Sequence, residues 1–223
     1  MPERVAIVGF FQSRCEREKR EYHITDLVYE VTSGLLNKLG MEIKEVDNII
    51  SCSQDFLDGR TISNRTIPEV EGAYLKSEAK VAGDGVQAVF YGAMRILSGK
   101  YQTCLVLAHA KMSEGAQNVI ANAMFDPFFQ RPLGFDEVNS GALQARTYLH
   151  RWGISEEKMA ESAAKALTQA GKNETVFRGR KTTKEQVLNS ALLASPLHEL
   201  EVYVPADGAC ALMLASESVA NKW

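Results

Sequence analysis

The stretch from Glu78 to Gly115, EAKVAGDGVQAVFYGAMRILSGKYQTCLVLAHAKMSEG, decides the fold. A short apolar strand runs into Gly83-Asp84-Gly85, a helix follows over about 84–97, Gly99 stops it, and a second apolar strand covers Thr103 to His109. Asp84 suits the N-cap and Gly99 the left-handed residue after the last turn. Val86, Val89, Phe90, Met94 and Leu97 mark an apolar face, with Ala88 and Ala93 beside it, so the helix reads as buried on nearly every side. Unpaired N–H groups and the helix dipole at its start favour negative charge, and chemistry that needs a thiolate or a bound anion is often placed there. The turn at Val81 to Gly85 nevertheless holds no cysteine, serine or histidine.

Outward from this unit the same rhythm repeats. Arg4 to Phe10 reads as a buried opening strand. Thr25 opens a helix that Gly40 stops after Leu27, Val28, Val31, Leu35, Leu36 and Leu39, and Val46 to Cys52 is the next strand. The polar, turn-rich segment Gln54 to Asn64 has the composition of a loop at the mouth of a site, or of a plain surface turn at Asp58-Gly59. Residues 116–138 are aromatic and punctuated by proline, an excursion from the main layers. Helices are expected over about 140–152 and 155–170, the second capped by Ser155, and a short one from Glu185. Asp207 to Ala215 leads into a last buried strand, followed by a helix from Ser216.

Composition narrows the function classes. The chain has 223 residues, 45% of them hydrophobic and 24% charged, as expected of a soluble globular domain. A net charge of −3 without a basic tail gives no attraction to nucleic acid or an anionic membrane. The apolar run Val5 to Phe11 lacks the flanks of a signal peptide, so the chain reads as cytoplasmic. Cys15, Cys52, Cys104 and Cys210 are far apart in sequence and the four histidines share no helical spacing, which disfavours a metal site. Cys104 and Cys210 fall in apolar strands and are expected as buried hydrophobes. The basic residues Lys172, Arg178, Arg180, Lys181 and Lys184 form either a solvated loop or a phosphate contact.

Taken in order, these residues resemble the N-terminal half of the thiolase superfamily, in its sterol-carrier-protein-like branch. The likeness rests on the opening Val-Ala-Ile-Val-Gly strand, Asp58-Gly59-Arg60-Thr61-Ile62-Ser63, Gly85-Val86-Gln87-Ala88, Ser98-Gly99-Lys100, Lys111-Met112-Ser113 and Ala206-Asp207-Gly208-Ala209. It implies one thiolase-like domain over 1–223: a mixed five-stranded sheet between helix layers (αβα), with an inserted loop segment over roughly 114–184. The second, C-terminal half is absent. It also implies lipid metabolism, acyltransferase chemistry and a coenzyme A thioester as ligand, with no covalently bound cofactor and no metal. Matching Ala82-Gly83-Asp84-Gly85 to the family's Cys-x-Ser-Gly places Ala82 at the nucleophile, so the turn reads as a pseudo-active site with Asp84 as a cap. Arg60, Met112, Arg178 and Lys181 are the expected acyl-CoA contacts.

Three roles follow from the resemblance. The chain is an acyl-CoA-handling subunit, inactive alone and completed by a C-terminal thiolase half or another partner. Alternatively it is a retro-aldolase subunit that cleaves a β-hydroxyacyl-CoA beside an OB-fold and zinc-ribbon partner, or a non-catalytic scaffold. It could equally be a piece of a longer chain. A lone half would leave the central helix layer partly uncovered, so a homodimer or hetero-oligomer is expected.

Overall fold

The computed structural model describes residues 4–223. Its elements in chain order are β1 (Val5–Gln12), α1 (Ile24–Leu39), β2 (Asn48–Cys52), α2 (Pro68–Glu71), β3 (Ser77–Val81), α3 (Gly85–Leu97), β4 (Thr103–Lys111), α4 (Gln117–Ala123), α5 (Glu137–Trp152), α6 (Glu156–Ala170), α7 (Lys184–Leu188), β5 (Leu192–Ala194), β6 (Leu197–His198), β7 (Asp207–Ser216) and α8 (Glu217–Ala220). They fall into two units. One holds the residues up to Gly115 together with Ala206–Trp223, and the other is Ala116–Pro205, a longer span than the inserted segment expected from sequence.

The first unit is built on a mixed five-stranded sheet in the order β1-β7-β4-β2-β3, as the sequence led us to expect. Strands β3, β2 and β4 are parallel, joined by helical crossovers, while β7 runs antiparallel between β4 and β1. Helix α1 covers one face, where Leu27, Val28, Val31 and Leu35 pack with Ile49, Leu105, Leu107 and Met213. Helix α3 covers the other, over Ile50, Cys104, Val106 and Leu214. Buried on both faces, β2 and most of β4 are apolar or small apart from Asn48, whose side-chain amide donates to the Thr103 carbonyl at 2.8 Å. β1 departs from its expected burial. It is an edge strand, so Ile7 and Phe10 are each 61% exposed. Helix α1 starts one residue before Thr25, with His23 as N-cap, because the Asp26 carboxylate accepts the His23 N–H at 2.7 Å.

The largest departure concerns α3. Its ends are where the sequence put them, with Asp84 as N-cap and Gly99 at φ 77° beyond the last turn. Its faces are reversed. The residues buried against the sheet are Ala88, Gly92 and Ile96, whereas Val86 is 78% exposed, Phe90 66%, Leu97 55% and Met94 48%. A Cβ at Gly92 would stand 3.0 Å from Cys104 Sγ, 3.1 Å from Leu214 Cδ1 and 3.2 Å from Val106 Cγ2. At Gly92 the helix lies too close to the sheet for a larger side chain; Ile96 is accommodated one turn further on, while Val86, Phe90, Met94 and Leu97 point outward.

The second unit is mostly helical. Asp136 caps α5 and Ser155 caps α6 through side-chain bonds to Asn139 N–H and Lys158 N–H. Ala160, Ala164 and Val187 form a small core of α6 and α7, and a hairpin of β5 and β6 occupies a stretch for which no strand was expected.

In the first unit the edges of β4 and β7 are locked by a buried ion pair. Lys111 Nζ lies 2.6 Å from Asp207 Oδ2, and their side chains are 3% and 0% exposed. Asp207 also accepts the N–H groups of Lys19 and Ser113 and the Ser113 hydroxyl, at 2.7–3.0 Å. Burial alone would raise its carboxyl pKa, but the bonds from Lys111, Lys19 and Ser113 outweigh it and hold the group below its usual range. Asp207→Asn leaves a buried ammonium without its counter-charge, and urea unfolding at pH 7 should record a loss of about 3–5 kcal/mol. A group with a depressed folded pKa stabilises the fold above its unfolded value and loses that contribution as pH falls through the folded one. The gap between parent and variant should therefore close below about pH 4; a gap that is absent at pH 7 or independent of pH contradicts this account.

Candidate functional site

Strand β3 ends at Val81, and the chain crosses Ala82 and Gly83 to reach the N-cap of α3. Asp84 Oδ1 accepts the Gln87 N–H at 2.9 Å, and the Cys52 thiol donates to the Gly83 carbonyl at 3.2 Å. Ala82 and Asp84 are exposed. Gly85 lies over β4, where an added Cβ would meet Ala108 Cβ at 3.8 Å. The turn thus has the geometry of a helix N-terminus open to a ligand, without a nucleophile. A methyl group stands at Ala82, and the Asp84 carboxylate already occupies one of the free N–H groups, so its charge opposes a second anion at the same place. The neighbouring Cys52 thiol is pushed up, first by burial and then by the charge of Asp84.

Below this turn the sheet register aligns Val81, Cys52, Ala108, Cys210 and Gln12 in one row across five strands. A cavity of about 280 Å³ opens beside the row, lined by Gln12, Cys15, Ala108, Asp207, Gly208 and Cys210 among others. Cys104 is buried as expected, but Cys210 is exposed. The reason is its position: it lies one strand to the side of the first turn of α3, at the mouth of that cavity.

His109 follows Ala108 and takes the opposite face of β4, with Leu105 and Leu107. There a polar cluster fills the space beneath the 53–67 loop. Asp55 accepts both a Lys80 ammonium bond at 2.6 Å and the Ser63 N–H at 2.7 Å, and the Ser53 hydroxyl adds a third partner at 2.6 Å. Burial would raise the Asp55 carboxyl, but Lys80 and the serines hold it well below the ordinary range. Glu71 is fully buried with neither oxygen bonded, and burial, with Glu78 adding, pushes it up to about 8. His109 has no partner at either ring nitrogen and is held down to about 4 by burial and then by the Lys80 charge. Asp58 is raised to about 6 by burial, which the Lys111 backbone bond only partly offsets. The sequence marked the loop as a site mouth, but Lys80, Glu71 and His109 escaped notice because they come from three separate elements.

The expected ligand contacts divide between the units. In the first, Arg60 pairs with Glu114, in the same 3-10 turn as Met112. In the second, Arg178 donates to the carbonyls of Val202 and Glu199, and Lys181 is exposed on the same loop. Arg60 and Arg178 are thus engaged within the protein. Among the described residues no three His, Cys, Asp or Glu side chains are placed to share a metal ion, and no helix is long and apolar enough to cross a membrane.

Comparison with known proteins identifies the family of the fold. The family model described as thiolase, N-terminal domain, matches residues 5–178. Acetyl-CoA acetyltransferases of Methanothermobacter thermautotrophicus and Methanocaldococcus jannaschii are 23% and 25% identical to it, each aligned with 98% of this chain. The chain spans only 58% and 57% of their lengths. Among solved structures, the Ltp2-ChsH2(DUF35) aldolase superposes with a TM-score of 0.77 at 22% identity, covering 97% of this chain and 56% of that one. Human mitochondrial 3-ketoacyl-CoA thiolase in complex with CoA gives 0.69 at 16% identity, covering 98% and 66%. With sheet order, helix layers and a match over residues 5–178 in agreement, the chain belongs to the thiolase family through its N-terminal domain.

Proposed function

We propose that the chain supplies the N-terminal half of a thiolase-like acyl-CoA site whose nucleophile has been lost, and that a C-terminal thiolase half or another partner completes it. The observation that carries this reading is the α3 N-terminus: a turn in which exposed Ala82 stands where the family resemblance puts the nucleophile and Asp84 accepts the Gln87 N–H. Aliphatic and aromatic residues along the same helix are exposed, which suits burial against a partner. In this reading the ligand is a coenzyme A thioester, and Arg60, Met112, Arg178 and Lys181 are its proposed contacts. Arg60 and Arg178 would have to exchange or share their present partners to reach a phosphate. The proposed compartment is the cytoplasm.

A second reading, a subunit that cleaves a β-hydroxyacyl-CoA by retro-aldol chemistry, is favoured by Ala82 itself. Aldol cleavage needs a general base and a stabilised enolate, with no acyl-enzyme, so a methyl at the nucleophile position is no handicap. The fold-level likeness to the Ltp2-ChsH2(DUF35) aldolase agrees with it, and a partner like the OB-fold and zinc-ribbon protein expected from sequence would fit.

Purification of the chain from its native host, followed by calorimetry with acetyl-CoA, tests the first reading. A co-purifying second polypeptide and saturable CoA binding are expected; a chain that elutes alone and binds no CoA contradicts it. Release of an aldehyde or ketone from a β-hydroxyacyl-CoA by that complex would select the aldolase reading, and CoA-dependent cleavage of a β-ketoacyl-CoA would reject it. The electrostatics of the turn can be tested separately. Ala82→Cys should give a thiol that iodoacetamide alkylates slowly at pH 7, and adding Asp84→Ser should accelerate alkylation by roughly 2–5-fold, the effect of one charge at a helix terminus. Equal rates in the two variants would contradict the role given to Asp84.

A further inference from the structure

Three of the four cysteines meet at one end of the sheet, on the face that carries α3. Cys52 and Cys210 belong to the same cross-sheet row but are separated by Ala108 of β4. Two strand spacings put their Cα atoms roughly 9.5 Å apart, beyond the limit of about 7 Å for a disulfide.

Cys15 is placed differently. The chain leaving β1 continues alongside β7, held by Ser13 N–H on the Ala209 carbonyl at 3.0 Å and by the Glu16–Asp207 bridge, with N–H to carbonyl distances of 3.1 and 2.7 Å. Between these ties, Cys15 sits against Gly208: a Cβ there would lie 3.6 Å from Cys15 Cα and 3.0 Å from its Sγ. The missing side chain at 208 is what leaves room for the thiol. Gly208 and Cys210 are two residues apart in one strand and so face the same side. Gln12, the cross-strand partner of Cys210, gives its side-chain amide to Cys15 Sγ at 3.7 Å. Both thiols therefore border the same glutamine and line the same cavity, and the Cys210 side of that cavity is open to solvent.

We propose that Cys15 and Cys210 form an oxidisable dithiol, a modification site whose disulfide closes the cavity beside the α3 N-terminus. Hydrogen peroxide takes the exposed Cys210 thiol to a sulfenic acid and leaves as water. The Cys15 sulfur then attacks the Cys210 sulfur, the S–O bond breaks, and a second water departs. Each sulfur loses one electron, and the peroxide O–O bond takes both. A small dithiol such as dithiothreitol reverses the reaction by exchange. The bond fastens residues 13–16 to β7 next to the Lys111–Asp207 pair. Packing pushes the Cys210 thiol up, with the Cys15 thiol adding to the effect, so oxidation is slower than at an activated cysteine.

The test is to treat the native full-length chain with hydrogen peroxide, block free thiols with N-ethylmaleimide in denaturant, and map the non-reduced digest by mass spectrometry. One cross-linked peptide pair joining Cys15 to Cys210 within a single chain is expected, reversible by dithiothreitol and absent from Cys15→Ser. Cys52 and Cys104 remain alkylatable. The Cys15→Ser variant should instead trap Cys210 as a dimedone-reactive sulfenic acid, provided that its circular dichroism matches the parent. Both Cys15 and Cys210 alkylated after oxidation, or Cys210 joined to Cys52 or to another chain, would overturn the proposal.

Discussion

The close approach of α3 to the sheet governs the first unit. Ala88 and Gly92 present almost no side chain to β4 and β7, so the helix sits directly on Cys104, Val106 and Leu214. Enlarging Gly92 would force overpacking that typically costs about 1–3 kcal/mol. Two consequences follow from this contact. The start of the helix is set over Ala108, at the end of the sheet where β2 and β3 finish, and Val86, Phe90, Met94 and Leu97 of the helix are turned away from the core.

The first consequence brings the Ala82–Gly85 turn, the cysteine row and the cavity to one corner. The second leaves Val86, Phe90, Met94 and Leu97 exposed on the surface of the first unit. On the other side of the same strand end, Asp55, Lys80, Glu71 and His109 form a buried polar cluster that is only partly bonded. One residue step along β4, from Ala108 to His109, separates these two environments, because successive side chains in a strand point to opposite faces. The Lys111–Asp207 pair, two residues further on, ties that end of β4 to β7 and to the loop around Lys19.

The fold was largely legible in the sequence, since strands β4 and β7 are continuous apolar runs and the ends of α3 carry a capping aspartate and a stop glycine. The orientation of α3 was not. Both of its faces are apolar, so hydrophobic periodicity could not choose between them; side-chain size at the closest approach made the choice, with Ala88 and Gly92 admitted there, Ile96 fitting one turn further on, and Phe90 excluded. Cys210 was misplaced for a related reason, as its strand is apolar but Cys210 lies one strand to the side of the start of α3. The short β5–β6 hairpin had no alternating pattern to reveal it. At the candidate site, the reading of Ala82 as the nucleophile position came through family resemblance, whereas the Glu71–His109 cluster needed the register of three elements.

The central claim is that α3 presents a partner-binding face rather than a misfolded or internal one. Light scattering with calorimetry on the parent chain and on a Phe90→Gln/Met94→Gln variant tests it most directly. The account predicts that the parent has a molar mass above that of a single chain, and that the variant falls to a monomer whose melting temperature, measured under dissociating dilution, matches the parent. A parent that is already a monodisperse monomer, or a variant that loses its cooperative unfolding transition, would contradict it.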